Sequence, residues 1–136
     1  MGNKKIIVDT SVWIEYFKNN DKFVLLIENN LNLEKIFITG IIISELLHGV
    51  RNYAEYKMLS KSIDAIPYLE CIFDDWLKTG KILFELKRKN IPVPLTDVLI
   101  ATIAIRNDAS VLTLDKHFEN IIQITPLNLY PCFSIG

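Results

Sequence analysis

Lys5-Ile6-Ile7-Val8-Asp9-Thr10-Ser11 is the stretch on which the reading of this chain turns. An apolar, β-branched run that stops at an acid marks a strand buried on both faces. Asp9-Thr10-Ser11 then supplies N-cap chemistry for a helix through Trp13, Ile14 and Phe17. A strand running straight into a helix is the opening of an α/β unit. The pattern recurs along the chain. Lys35-Ile36-Phe37-Ile38-Thr39 reads as a strand, broken by Gly40 and followed by a helix over 41–50. Ser110-Val111-Leu112-Thr113 reads as another, followed by Asp115 and a short helical turn around Phe118.

Other segments fill the helical layers. Helices are predicted over 23–31, with Asp21 as its cap, over 53–66, stopped by Pro67, and over 74–89, ended by Asn90 and Pro92. Trp76, Leu77, Leu83 and Phe84 share one face of the last of these, an amphipathic pattern. Thr96 caps a helix carrying Val98 to Ile105 that is apolar nearly all round, so it should be deeply buried. Residues 68–72 are predicted as a short edge strand and 121–124 as the last strand. Strands alternating with helices imply a single α/β domain over residues 1–136, an α/β/α sandwich with a mostly parallel central sheet. In such sheets the site lies beyond the carboxyl ends of the strands, where Asp9 and Asp115 fall.

Composition fits that reading. The 136 residues are 50% apolar and 23% charged, in the range of a globular domain. Mean hydropathy is +0.24, high for a small domain, so either the core is generous or some apolar surface is covered by a partner. No apolar run approaches the ~18 residues of a membrane span. Lys4 and Lys5 resemble the start of a secretion signal, but Asp9 ends the apolar stretch after Val8, so the expected location is cytoplasmic. Cys71 and Cys132 are expected as free thiols. A net charge of −1 argues against binding nucleic acid by bulk charge alone.

Several chemistries are missing. The five glycines are scattered, so there is neither a dinucleotide fingerprint nor a P-loop. There is no nucleophile elbow. His48 and His117 are the only histidines and have no partners at zinc spacing. Asp9 as a phospho-accepting nucleophile is a minor alternative, because a second acid does not stand beside it.

What remains is four acids set against apolar segments: Asp9, Glu45, Asp97 and Asp115. Taken singly, each has an ordinary structural role. Asp9 and Asp97 can cap helices, Glu45 can face solvent in a first turn, and Asp115 can make an Asx-turn. Taken together, placed to converge on one end of a sheet, they would repel unless neutralised. An all-oxygen ligand set suits a hard divalent cation, Mg²⁺ or Mn²⁺, which can activate water and stabilise a phosphodiester transition state.

Four segments carry a resemblance: Ile7-Val8-Asp9-Thr10-Ser11-Val12-Trp13-Ile14, Glu45-Leu46-Leu47-His48-Gly49, Asp97-Val98-Leu99-Ile100-Ala101-Thr102-Ile103-Ala104, and Val111-Leu112-Thr113-Leu114-Asp115-Lys116-His117-Phe118. In this order and spacing they resemble the PIN-domain family, in particular the VapC-type toxin ribonucleases of toxin–antitoxin pairs. The resemblance spans nearly the whole chain. It implies a PIN-like fold and a Mg²⁺- or Mn²⁺-dependent endoribonuclease, the toxin of a type II pair, which hydrolyses RNA phosphodiesters with metal-activated water. It also implies an antitoxin protein partner and a homodimer. The family's four acids fall on Asp9, Glu45, Asp97 and Asp115, as catalytic and metal-holding residues. Thr10, Ser11 and Thr113 stand where the family has polar support. Thr102 departs mildly, at a position where many relatives carry a small apolar residue.

Arg51, Lys116 and His117 are candidates for phosphate contacts, being near the site acids in sequence. Lys87-Arg88-Lys89 reads first as cations complementing a helix C-terminus. The competing function is a catalytically inactive PIN-like module that binds RNA or protein. The complete acid set argues against it, since a binder gains nothing from four repelling carboxylates.

Overall fold

The computed structural model describes residues 4–132. Five parallel strands form one sheet in the order β3-β2-β1-β4-β5: β1 (Lys5–Val8), β2 (Ile36–Thr39), β3 (Tyr68–Leu69), β4 (Ala109–Leu112) and β5 (Asn128–Leu129). Helices cover the connections: α1 (Thr10–Phe17) and α2 (Asp21–Asn32) after β1, α3 (Gly40–His48) and α4 (Tyr53–Asp64) after β2, α5 (Phe73–Arg88) and α6 (Leu95–Arg106) after β3, and α7 (His117–Ile121) after β4. This is the parallel α/β sandwich expected from the sequence. None of these helices is long and apolar enough to cross a membrane.

The three central strands are buried on both faces, and Ile6, Ile7, Val8, Ile36, Ile38, Val111 and Leu112 form the middle of the core. Between β1 and β4 the order of the chain reverses, because β2 and β3 grow to one side and β4 and β5 to the other. A crevice forms at the carboxyl end of such a switch point. α6 is buried from Asp97 through Ala104, and its first turn reaches the same end. Four helices end on a residue in the left-handed region, Asn19, Glu34, Asn90 and Asp108, with no glycine among them.

Three expected boundaries fail. Residues 121–124 do not form a strand; α7 ends at Ile121 and a turn follows, and the edge strand lies later, at Asn128–Leu129. Ile121 is fully buried beneath that turn, so its apolar character reports a core-facing helix end. Short apolar runs do not separate the two cases. The helix expected to be capped by Thr96 starts at Leu95, with Pro94 at the N-cap. Residues 68–72 pair only at Tyr68 and Leu69.

α5 is the larger surprise. An amphipathic pattern ordinarily turns its apolar face to the core. Here Phe73, Trp76, Leu77 and Phe84 are 76%, 53%, 59% and 58% exposed, and only Leu83 is drawn partly inward. The buried residues of α5 are Asp75, Thr79 and Leu86. Polar groups hold that inner face. Arg106 on α6 donates from Nε and Nη2 to the two Asp75 carboxylate oxygens, each at 2.9 Å. The Ile72 N–H adds a third bond to Asp75. Thr79 donates to Thr102 Oγ1, which donates to the Val98 carbonyl. Thr102, the mild departure from the family pattern, is therefore a packing partner of Thr79. Gly80 lies on the exposed face, where alanine would favour the helix by ~1 kcal/mol, and a methyl group there would meet nothing within 4 Å.

Burial acts to raise the Asp75 carboxyl pKa, but the Arg106 and Ile72 bonds and nearby cations outweigh it, leaving the group below its ordinary 3.8. Its stabilising contribution is present above that value and is lost as pH falls through the lowered one. Breaking the pair leaves a fully buried carboxylate with one backbone bond. Arg106→Ala should cost ~3 kcal/mol at neutral pH, read by urea denaturation. The Asp75→Ala, Arg106→Ala double variant should lose less than the sum of the single losses.

Candidate active site

The site is built at the carboxyl ends of β1 and β4. The Asp9 N–H donates to the Leu112 carbonyl, extending the pairing of the two strands by one residue. The Asp9 carbonyl accepts from Val12 and Trp13, so its backbone caps α1. Its side chain does not cap the helix. Asp9 Oδ2 instead accepts from Ser11 Oγ and from Thr113 Oγ1, both at 2.8 Å. Each hydroxyl is oriented in turn by a backbone donor: Leu114 N–H to Ser11 Oγ at 3.0 Å and Asp115 N–H to Thr113 Oγ1 at 2.9 Å. Both bonds fall on one oxygen, leaving Oδ1 without a hydrogen bond among the described residues. Asp9 is nearly inaccessible in bulk, at 5% exposure.

Asp97 comes from the first turn of α6 and Asp115 from the loop after β4. His117 Nδ1 lies 3.1 Å from Asp97 Oδ2 and 3.0 Å from Asp115 Oδ1. Ligand atoms of Asp97, Asp115 and His117 all lie within 4.8 Å of one another. The His117 N–H also donates to Asp115 Oδ1, fixing the loop. Burial, followed by the charges of Asp115 and Asp9, pushes the Asp97 carboxyl up to about 6, with His117 acting in the opposite sense. Asp97 therefore feels the charges of both other aspartates. Glu45 stands further out, exposed on α3, and its Oε1 accepts from Thr10 Oγ1 at 2.8 Å.

These observations fit a divalent cation. One Asp9 oxygen is tied down and the other has no hydrogen bond among the described residues, two further carboxylates come together, and among the described residues it is His117 that pairs with them. Such a carboxylate-rich set is the kind that holds Mg²⁺ or Mn²⁺.

The remaining candidates fall at different distances from this centre. Arg51 is turned toward α4, where its guanidinium pairs with Glu55 at 3.0 Å. Arg51 lines a groove shared with Thr10 and Glu45. Lys116 is exposed next to Asp115. His117, its side chain 45% exposed, places its ring nitrogen Nδ1 between two acids. The expected all-oxygen set thus has an imidazole nitrogen beside it. The Asp115-x-His117 spacing carries that signal, but only the approach of α6 makes it visible.

Comparisons with known proteins follow the same lines. The PIN domain family model matches residues 6–122, and the chain belongs to this family. A VapC ribonuclease of Mycobacterium bovis is 29% identical over 128 residues, covering 90% of this chain and 95% of that protein. A VapC ribonuclease of Rickettsia bellii is 25% identical over 132 residues, covering 91% and 96%. Among solved structures, DNA-bound VapBC from Salmonella typhimurium superposes with a TM-score of 0.75 at 26% identity, covering 93% of this chain and 97% of that one. VapBC-1 from Haemophilus influenzae gives 0.75 at 23%, covering 92% and 96%, a likeness of fold.

The raised Asp97 group has a thermodynamic consequence. The folded protein binds this proton more tightly than the unfolded chain, so the stability it confers is complete below about 3.8 and lost as pH rises through about 6. In EDTA the melting temperature should fall between about pH 4 and about pH 6. Asp97→Asn should raise the value at neutral pH and flatten that slope, as followed by circular dichroism.

Proposed function

We propose that this protein is a metal-dependent endoribonuclease, the toxin of a type II toxin–antitoxin pair, which hydrolyses RNA phosphodiesters. The carrying observation is the meeting of Asp97, Asp115 and His117 at the switch point of a PIN-domain sheet, with the charge of Asp9 acting on Asp97. VapC ribonucleases that align along nearly their whole length support the activity. VapBC assemblies of the same fold support an antitoxin partner. We further infer a homodimer acting in the cytoplasm on RNA.

Asp9, Asp97 and Asp115 would hold the cation, Mg²⁺ or Mn²⁺. When bound, such an ion polarises a phosphate oxygen and lowers the pKa of a coordinated water. The chain's residues do the rest. Ser11 and Thr113 fix Asp9 through Oδ2, which leaves its other oxygen to serve as the ligand atom with little freedom. Asp97, pushed up to about 6 in the bare site, keeps its proton to a higher pH than an ordinary carboxyl, and arriving positive charge favours its ionised form. With its proton on Nδ1, His117 donates to Asp97 or Asp115 and sets their orientation. Glu45, held through Oε1 by Thr10, keeps Oε2 available at the rim to accept a hydrogen bond from the attacking water. Lys116, exposed beside Asp115, and Arg51, across the groove from Glu45, stand where RNA phosphates would approach.

RNA cleavage by the purified protein should require Mg²⁺ or Mn²⁺ and stop in EDTA. Asp9→Asn should lower the rate more than ~100-fold, and Thr113→Ala, which loosens Asp9 without removing it, by ~10-fold. Undiminished cleavage in EDTA, or by Asp9→Asn, would overturn the proposal. RNA binding without cleavage would favour the inactive module. Mn²⁺ should also raise the melting temperature by linkage, and Asp97→Asn should blunt that rise.

A further inference from the structure

We propose that Thr39 is a positioning residue for Asp9, its hydroxyl serving the acid from the β2 side, once a cation occupies the site, as Thr113 serves it from the β4 side. This rests on the reading of Asp9 as a cation ligand and adds a residue to it.

The sheet places the two threonines symmetrically about the acid. β1 pairs with β4 as Val8 with Leu112, so one residue further on Asp9 stands level with Thr113. There the Thr113 hydroxyl donates to Asp9 Oδ2 at 2.8 Å. β1 pairs with β2 as Ile7 with Phe37, and the same register carried two residues on sets Asp9 level with Thr39. Level residues of neighbouring parallel strands project from the same face of the sheet, with strands ~4.8 Å apart. The bond from Thr113 shows that a threonine at this level can reach the carboxylate.

Thr39 has no other employment. It is fully buried, and its Oγ1 makes no hydrogen bond among the described residues. It occupies the N-cap of α3, where a threonine ordinarily bonds a first-turn N–H, yet its side chain makes no such bond. A buried hydroxyl without a partner costs free energy, and a group of this kind in a folded protein calls for an explanation. Its backbone is extended, a conformation that valine, of nearly the same shape, adopts at least as readily. Packing alone therefore gives no reason for the hydroxyl.

Asp9 supplies what Thr39 lacks. Its Oδ2 already accepts from Ser11 and Thr113, and its other oxygen accepts from no described residue. A carboxylate oxygen has two lone pairs, so one that ligates a cation can still accept a hydrogen bond. The bonds from Ser11 and Thr113 exist in the free site and define the resting direction of the acid. The bond from Thr39 belongs to the loaded state. Since the hydroxyl has no bond to break first, the whole gain appears as affinity for the ion.

Calorimetric titration of the metal-free full chain with Mn²⁺, alongside melting curves in EDTA, tests this. Thr39→Val should weaken Mn²⁺ binding ~10-fold and at the same time raise the melting temperature in EDTA by ~3 °C. Thr39→Ser, which keeps the hydroxyl, should bind Mn²⁺ like the wild type. Thr113→Val, which breaks a bond already made, should lower both affinity and melting temperature. Unchanged Mn²⁺ affinity in Thr39→Val overturns the proposal and leaves Asp9 as a ligand. A lower melting temperature of Thr39→Val in EDTA also overturns it, because the hydroxyl would then serve the free protein. Loss of affinity in Thr39→Ser equal to that in Thr39→Val overturns the role of the hydroxyl. Absence of Mn²⁺ binding by the wild type overturns the cation site itself, and this proposal with it.

Discussion

Two hydroxyls donating to one carboxylate oxygen hold the working end of this molecule together. Ser11 follows β1 and Thr113 follows β4, and both bond Asp9 Oδ2. The backbone N–H groups of Leu114 and Asp115 orient them. The bond network therefore ties the ends of the two central strands and leaves the other oxygen of Asp9 without a hydrogen bond among the described residues. Side chains locked by such supporting bonds lose little entropy when a ligand arrives. Relaxing either hydroxyl would leave the acid in place and its direction undefined.

Asp97 arrives by a different device. α6 is buried along nearly its whole length, so its first turn has almost no freedom to shift. The apolar packing of Val98 to Ala104 holds a carboxylate beside two others, in a setting that favours its protonated form. The fold thus stabilises an arrangement that is locally unfavourable without a cation. Strain of this type is common where function requires convergent charge.

α5 shows the complementary case, a helix whose polarity is set by its neighbours. Its inner face carries an ion pair and a hydroxyl relay to α6, and its outer face carries aromatics. A buried ion pair with matched geometry adds little net stability over apolar packing, but it specifies orientation, since any rotation would strand a buried charge. The orientation it selects presents the apolar stripe to solvent.

Much of this was legible in the residues. β-branched runs ending in acids marked the central strands, because a doubly buried strand has no polar alternation to blur it. The even apolarity of 98–105 marked the buried helix. Asp9, Asp97 and Asp115 could be named from their setting against apolar segments, where a carboxylate needs a reason to be. Local pattern failed where two environments select the same residues: Ile121 and Ile122 suit a strand as well as a buried helix end. It also failed where distant partners decide. Nothing near Asp75 in sequence announces Arg106, so the buried side of α5 could not be read from its periodicity. The place of His117 likewise depends on α6 packing against α7. The sequence by itself determined the alternation of strands and helices and the identity of the acids, because both follow from local burial and capping. Only the tertiary structure decided which oxygen of Asp9 is free, where His117 sits and which way α5 faces, because each is set by contacts between segments far apart in the chain.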